Sequence, residues 1–166
     1  LSKSAYEWEI PDDLHLKIAH LRGRKEEELS GETFEQKNLK EGKGGLLDIE
    51  FLTQYLQLKF VQRFPKLRTT ETLKALEVIG KEALISQEDV IFLEKAYRWI
   101  RQIETALRLL FDQSVNTLNL NKAQTLHLET LLRRQGQFDN IPSTLGQTSE
   151  KVRLIYEQVM KVDKRT

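Results

Sequence analysis

Helical periodicity is the feature that most constrains the fold of this chain. Apolar residues recur three and four positions apart along most of its length, and the strict alternation typical of strands is rare. The longest such stretch runs from residue 87 to about residue 115, with an inward stripe of Val90, Leu93, Tyr97, Ile100, Leu107 and Leu110. This pattern predicts an all-α fold, an antiparallel helical bundle of about five to six helices with the long helix as its spine.

Helix-breaking residues bound the first three predicted helices. The first begins at residues 11–13, ends at residues 30–31 and turns three residues inward, namely Leu14, Ile18 and Leu21. The second runs from about residue 47 to residue 64, because Pro65 disfavours helix in the residue before it. The third follows a cap at Thr69 or Thr70 and breaks near Ala83.

Capping residues bound the remaining helices. Ser86 and Asp89 form a shortened capping box that opens the long helix. Residues 116–121 turn the chain into a fifth helix that ends at Gly136, and Ser143 is expected to cap a sixth. A short extended segment is expected only near residues 34–40. We therefore divide the chain into an N-terminal helix with a connecting segment, residues 1–45, and a helical bundle, residues 46–166.

Composition and charge exclude several classes of function. The chain has no cysteine, which removes disulfides, thiolate metal sites and thiol nucleophiles. Its formal net charge is +1, so no overall field attracts nucleic acid or an anionic membrane, and no apolar run approaches the length of a membrane span. We expect a cytoplasmic protein that binds neither nucleic acid nor a membrane. The 166 residues begin with leucine, which suggests a piece of a longer polypeptide.

No complete active site is recognisable in the sequence. His15 and His20 stand five residues apart, which is not the spacing that puts two ligands on one helical face. The glycine-rich stretch lacks the spacing and the lysine-hydroxyl pair of a phosphate-binding P-loop, and no dinucleotide-binding fingerprint is present. We therefore expect no catalytic residue, no metal ligand and no cofactor within the chain itself.

One segment, "KEGKGGLLDIEF" at residues 40–51, nevertheless combines unusual residues. Its paired glycines precede a helix, where free N–H groups and the helix dipole favour an anion, and two lysines add charge. Two carboxylates follow, about 200° apart if the stretch is helical, so that they cannot share one metal. The candidate loop residues are Lys40, Lys43, Gly44, Gly45, Asp48 and Glu50. The structural alternative is that Asp48 only favours the start of the helix.

The segment "NLKEGKGGLLDIEFLTQYLQL", residues 38–58, resembles a motif of the glutamine synthetase adenylyltransferase family, of the general form D-L-K-x-G-x-G-G-I-x-D-I-E-F-x-x-Q. Residues 96–120 resemble the long helix of that family, including Arg101, Glu104 and Arg108, and residues 152–159 resemble its last helix. The chain departs from the family at Asn38, usually an aspartate, and at Leu46-Leu47. It also lacks the glycine-serine and paired-aspartate signature of the catalytic core.

The resemblance implies a helical module that follows a nucleotidyltransferase core, in a bifunctional enzyme that adds AMP to glutamine synthetase and removes it again. ATP and magnesium would serve the core, which is the missing partner within the same polypeptide. Glutamine synthetase and the PII signal protein would be the external partners. The exit of the long helix favours the carboxyl-terminal, AMP-adding half, and the loop would form the seam between bundle and core. The module itself would be inactive.

Other interpretations stay open. Arg101, Glu104 and Arg108 form either a solvated row of ion pairs or a contact face for a partner, since neighbours three and four apart share one helical face. The chain could be the accessory bundle of a uridylyltransferase-type or antibiotic nucleotidyltransferase. It could also be a free-standing helical adaptor that never had a core. The sequence upstream of Leu1 would discriminate among these possibilities.

Overall fold

The computed structural model describes residues 10–111, 116–120, 122–133 and 140–162. Its helices are α1 (Leu14–Leu29), α2 (Leu46–Phe60), α3 (Thr72–Lys81), α4 (Gln87–Phe111), α5 (Lys122–Arg133) and α6 (Ile141–Val162). Two three-residue strands, β1 (Gln36–Asn38) and β2 (Thr117–Asn119), pair antiparallel with Lys37 opposite Leu118. The predicted all-α bundle of about five to six helices with a short extended segment is confirmed.

Two clusters of buried apolar residues hold the bundle together. The first joins α1, α2 and α3 to the beginning of α4 and the end of α6, around Leu52, Leu76 and Leu93. The second joins the remainder of α4 to β2, α5 and the beginning of α6, around Ile103 and Leu128. Because α4 and α6 each contribute to both clusters, they tie the two halves into one body.

Most of the predicted helix ends agree with the structure. Ser30 ends α1 and Gly31 follows at a φ of 52°, a left-handed conformation that favours glycine. The capping box is confirmed, since Ser86 Oγ accepts the Asp89 N–H at 3.1 Å and donates to its carboxylate at 2.6 Å. The predicted end of the long helix at Val115 and the cap at Gly136 lie outside the described residues.

Three predicted helix ends were wrong. Helix α2 ends at Phe60 instead of residue 64, because the chain turns ahead of Pro65, which opens a short 3-10 helix over Pro65–Leu67. Helix α3 begins at Thr72, so neither Thr69 nor Thr70 is its cap residue. Ser143 lies inside α6, and its N–H is accepted by the side chain of Asn140 at 3.3 Å. In each case a nearby turn sets the boundary.

Two positions in the predicted inward stripes were also wrong. Leu21 is 52% exposed, because α1 turns His15, Ile18 and Arg22 toward its neighbours instead. Leu110 is 39% exposed near the end of α4, although Leu107 before it is fully buried. The strand β2 was not predicted, since a three-residue segment carries no recognisable alternation.

Candidate functional site

The glycine loop, residues 40–45, lies where α1, the start of α2 and α6 meet. Arg22 of α1 donates through Nη2 to the carbonyl oxygen of Gly42 at 2.8 Å. The Gly44 N–H donates to Asp48 Oδ2 at 2.8 Å, so the first turn of α2 closes back on the loop. Gly44 has a φ of 71°, and a Cβ there would overlap the backbone of Ser149 in α6. The loop is thus fixed from three sides.

Backbone groups around the start of α2 are already hydrogen-bonded within the chain. Gly45 N–H donates to Gly42 O at 3.0 Å, and the next two amides donate to Leu39 O and Lys40 O at 2.9 and 3.0 Å. The Lys43 N–H donates to Glu32 Oε2 at 3.3 Å. A phosphate at this loop would therefore displace existing bonds, in contrast to the open anion site expected from the paired glycines. Binding of an anion by the loop stays a prediction.

Asp48 occupies the centre of a buried ion cluster that joins three helices. Its Oδ1 lies 2.5 Å from Arg22 Nε, and both carboxylate oxygens lie 3.3 Å from Arg153 Nη1 of α6. Arg22 is only 1% exposed and Asp48 is fully buried. Arg153 also donates to Glu26 at 2.8 Å and to Glu157 at 2.9 Å. A buried arginine of this kind is costly unless its charge is matched, and Asp48 supplies the match.

Burial is the largest influence on the pKa of Asp48, the carboxyl group at the centre of this cluster. Burial raises the pKa of the Asp48 carboxyl above its ordinary value of 3.8, against the opposing influence of Arg22, Arg153 and the Gly44 N–H. The hydrogen bond from Arg153 lowers the pKa of Glu157. Asp48 thus does more than favour the start of a helix. It links the glycine loop to α1 and α6.

Glu50 points into a second cluster, because two positions along a helix turn a side chain to another face. It accepts from Tyr97 Oη at 3.1 Å and from Arg101 Nη2 at 3.2 Å, both on α4. Arg101 and Arg108 each bond one oxygen of Glu104, at 2.8 and 2.9 Å. The structure thereby joins Glu50 to the candidate partner face Arg101, Glu104 and Arg108, while Asp48 lies in the other cluster.

The second cluster fits neither interpretation alone, the solvated row of ion pairs or the contact face for a partner. Glu104 is only 2% exposed, so it is held in the interior by its two arginines. The side chains of Arg101 and Arg108 are 42% and 50% exposed and keep part of each guanidinium at the surface. An ion pair with one buried partner is stronger than a solvated pair, because screening by water is weaker. Contact with a partner protein stays a prediction.

Asn38, the position where the family pattern usually has aspartate, is buried and fully hydrogen-bonded. Its Nδ2 donates to Leu29 O and Ser30 O at 3.2 and 3.1 Å. Its Oδ1 accepts from Lys40 N and Glu41 N at 3.0 and 2.9 Å. The side chain therefore connects the end of α1 to the beginning of the glycine loop.

The site residues that sequence reasoning missed are Arg22, Tyr97 as a hydrogen-bonding group, and Arg153. Arg22 stands four residues after Ile18, on the inward face of α1, and an arginine in an apolar stripe was the available signal. Arg153 gave no such signal, because arginine is expected on the polar face of a helix. Apart from Glu157 on its own helix, its partners Glu26 and Asp48 lie on α1 and α2, more than 100 positions away in the sequence.

Metal binding and membrane insertion find no support in the described residues. Within residues 10–111, 116–120, 122–133 and 140–162, no three histidine or carboxylate side chains come together as a metal site. Asp48 and Glu50, the two carboxylates of the loop motif, are each engaged by arginine. No helix in the same part of the chain is long and apolar enough to cross a bilayer.

Comparison with known proteins gives two consistent results. A family model described as GlnD PII-uridylyltransferase matches residues 12–160. The bifunctional glutamine synthetase adenylyltransferase/adenylyl-removing enzyme of Xanthobacter autotrophicus is 32% identical over 127 residues, which are 75% of this chain and 12% of that protein. The enzyme of the same name from Vibrio parahaemolyticus is 32% identical over 126 residues, 76% of this chain and 13% of that protein.

A shorter match is closer in sequence. The enzyme of the same name from Xanthomonas axonopodis pv. citri is 40% identical over 81 residues, which are 49% of this chain and 9% of that protein. The chain thus spans about an eighth of the length of the curated relatives that it matches over three quarters of its own length.

Proposed function

Because the chain belongs to the glutamine synthetase adenylyltransferase family, we propose that it is a helical module of a bifunctional enzyme that adds AMP to glutamine synthetase and removes it. The relatives carry that activity in their name, and the chain corresponds to about an eighth of their length. The chemistry then belongs to a nucleotidyltransferase core elsewhere in the polypeptide. The module supports that core and contributes to partner binding.

We propose that the module contacts the core at residues 40–50, which are the glycine loop and the start of α2. The loop is the densest part of the family resemblance, and it is held rigidly by Arg22, Asp48 and the backbone of α6. Lys43 is exposed, and the Lys40 side chain is 39% exposed with its Nζ 3.8 Å from the Glu41 carboxylate. A rigid loop with two partly exposed cations is suited to contact a domain that handles phosphate groups.

ATP and magnesium belong to the core in this proposal. Magnesium prefers carboxylate oxygens that are free to bind it, and the carboxylates of the loop motif are paired with arginines. The described residues of this chain therefore do not fit a magnesium site. When bound in the core, magnesium would neutralise charge on the transferred phosphoryl group. The residues of this chain would hold the loop in position beside it.

The first experiment measures AMP transfer by the 166-residue chain alone. We expect cooperative thermal unfolding together with no transfer of AMP from ATP to glutamine synthetase. The bundle has its own buried core but lacks the paired aspartates of the core domain. Transfer by the purified chain would contradict the proposal.

The second experiment tests the seam in the full-length enzyme. The double variant Lys40→Ala, Lys43→Ala is expected to lose AMP transfer while its melting temperature stays unchanged, because both lysines are at least partly exposed. The matched control is Lys74→Ala, Lys81→Ala, which removes two exposed lysines from α3. Equal activity of the two double variants would show that the loop does not face the core.

Glu50 gives a second test of the same seam. The conservative variant Glu50→Gln keeps the shape of the side chain but weakens its bonds to Tyr97 and Arg101. We expect the turnover of Glu50→Gln to fall while its melting temperature stays close to that of the wild type, because Glu50 belongs to a partly exposed cluster. Asp48 is unsuited to this test, since its loss would remove the nearer and more deeply buried of the two charge partners of Arg22.

The finer assignments follow from the family and are proposals of the same kind. We assign the chain to the carboxyl-terminal, AMP-adding half of a cytoplasmic enzyme under the control of the PII signal protein. The match to a family model described as a PII-uridylyltransferase favours a second candidate, in which PII is the substrate and UMP the transferred group. Assays of the full-length enzyme with ATP and glutamine synthetase, or with UTP and PII, discriminate between the two.

A further inference from the structure

A cleft of about 360 Å³ separates α1 from α6, on the outer side of the Asp48 cluster. Its α1 wall includes His15, Leu16 and Arg22, and its α6 wall includes Arg153 and Tyr156. Two small residues of α1, Ala19 and Gly23, also line the cleft. This volume is within the range of small-molecule sites.

Two nearly buried side chains that line the cleft have polar atoms without a partner among the described residues. His15 is 7% exposed and its Nδ1 makes no hydrogen bond, and Tyr156 is 4% exposed and its Oη makes none. Arg22, 1% exposed, lines the same cleft, but its Nε and Nη1 already pair with Asp48 at 2.5 Å and with Glu26 at 3.3 Å. Buried polar atoms are normally satisfied, so the two unpartnered atoms of His15 and Tyr156 in one cleft point to a missing ligand.

The charges on the cleft wall select the kind of ligand. Among the described residues, Arg22, Arg153 and Lys161 line the cleft together with one carboxylate, Glu157. Asp48 and Glu26, which balance the arginines, are not part of that lining. A ligand in the cleft therefore meets more positive than negative side chains.

We propose that this cleft between α1 and α6 binds a small carboxylate whose oxygens accept from Tyr156 Oη and His15 Nδ1, beside the positive charges of Arg153 and Lys161. A hydroxyl and an imidazole N–H are both donors that a carboxylate can use. Leu16, Ala19 and Met160 give the cleft an apolar side that accommodates a short hydrocarbon chain. Carboxylate binding goes beyond the proposed function, and neither depends on the other.

Ordered water is the alternative occupant. A water needs about 30 Å³ and typically makes three hydrogen bonds, so water alone could satisfy both His15 and Tyr156. Water differs from a carboxylate in one measurable respect, since it gives no saturable response to an added ligand. The experiment is therefore a comparison between a carboxylate and its neutral analogue.

The 166-residue chain, labelled with nitrogen-15, is titrated with propionate and, separately, with propionamide at constant ionic strength. We expect saturable shifts of amide signals in α1 and α6 with propionate, with a dissociation constant on the order of millimolar for a ligand of this size. Propionamide has the same shape without the charge, and its response is expected to be about tenfold weaker, as for the loss of a charged hydrogen-bond acceptor.

Tyr156→Phe removes the donor without changing the shape of the side chain. We expect it to weaken propionate binding by about tenfold, the effect of one hydrogen bond to a charged group. The matched control is Tyr55→Phe, which removes a hydroxyl from a nearly buried tyrosine of α2 outside the cleft lining. Unchanged binding in Tyr55→Phe supports the proposal.

Any of three results would overturn it. These are the absence of saturation with propionate, an equal response to propionamide, and equal binding by the wild-type chain and Tyr156→Phe. The thermal unfolding of each variant is measured first, so that a weakened response is not confused with loss of structure. His15→Leu provides a second variant, because it removes the unpartnered Nδ1 and keeps an apolar side chain at the base of the cleft. Its propionate affinity is expected to fall as well.

Discussion

At the scale of single residues, Asn38 shows how one amide can decide the conformation of a loop. Its side chain uses two donor and two acceptor positions, which an aspartate could not reproduce, because an ionised carboxylate only accepts. In this chain the residue is therefore not interchangeable with the aspartate of the family pattern.

We expect Asn38→Asp to lower the free energy of unfolding by about 1 to 3 kcal/mol at neutral pH, because it sets a carboxylate against two carbonyl oxygens. Urea titration followed by circular dichroism measures the change. Asn140→Asp is the matched control, since the Asn140 side-chain oxygen accepts from the Ser143 N–H and a carboxylate accepts equally well. A loss in Asn140→Asp equal to that in Asn38→Asp would contradict this account.

Tyr156 predicts a dependence of stability on alkaline pH. Burial, and then the charge of Asp48, raise the pKa of its phenol from 10.0 to about 12. Folding therefore favours the protonated phenol, so this contribution to stability is complete below pH 10 and is lost as the pH rises from about 10 to about 12. We expect the wild-type chain to lose more stability over this interval than Tyr156→Phe, as measured by urea unfolding at each pH.

The same variant tests the unpartnered hydroxyl at neutral pH. Since the Tyr156 Oη makes no hydrogen bond among the described residues, its removal leaves no partner unsatisfied. We expect a change between zero and an increase in stability of about 1 kcal/mol. A loss above about 1 kcal/mol would reveal a partner for the hydroxyl that the described residues do not include.

Sequence patterns foresaw which residues near the loop are unusual but not how they pair. Asp48 and Glu50 were recognised as candidates, and helical geometry correctly indicated that they face different ways. Their actual partners, Arg22, Arg153, Tyr97 and Arg101, come from three other helices. Such contacts depend on tertiary packing, which leaves little trace in the local order of residues.

At the scale of helices, the contact between the glycine loop and helix α6 depends on the absence of a side chain at Gly44. Its φ of 71° and the overlap that a Cβ would make with the Ser149 backbone act together. Backbone atoms cannot move aside as a flexible side chain does. Helix α6 would have to withdraw from the loop to make room.

Gly44→Ala is therefore expected to cost about 3 kcal/mol or more, well above the effect of an ordinary surface substitution. Gly146→Ala is the matched control on α6, because a Cβ there meets nothing within 4 Å. It is expected to stabilise the chain by about 0.5 to 1 kcal/mol, since alanine is the better helix former. Chemical unfolding of both variants measures the difference, and similar effects of the two would disprove the close approach.

Helix existence was predictable because amphipathic periodicity extends over many residues, as in α4. One end each of α2, α3 and α6 was not predictable from the sequence, since turns that depend on Pro65 or Asn140 override the local signals. The strand β2 escaped notice because its partner β1 lies about 80 residues earlier. No local window of sequence contains both strands.

At the scale of the whole molecule, the two apolar clusters share α4 and α6 and should not unfold independently. Leu76 is fully buried in the first cluster and Leu128 in the second. Each leucine-to-alanine substitution is expected to lower stability by about 2 to 5 kcal/mol. Because both clusters share helices, both variants should still unfold in a single transition.

Circular dichroism, which reports all helices, and the fluorescence of Trp99, which packs against the second cluster, provide the measurement. Because the chain has a second tryptophan, the fluorescence is recorded in a Trp8→Phe background. Coincident curves are expected for the wild-type chain and for both variants. An earlier fluorescence transition in Leu128→Ala would instead identify the second cluster as a separate folding unit.

The pairing of β1 with β2 also affects the order in which parts of the molecule fold. It requires the chain to close a loop of about 80 residues, and such closure is entropically costly before other contacts reduce the freedom of the chain. Local helical turns form far sooner. We therefore expect the strand pair, and with it the final conformation of residues 36–45, to be among the last parts of a newly synthesised molecule to mature, an order that pulse-labelling hydrogen exchange can follow.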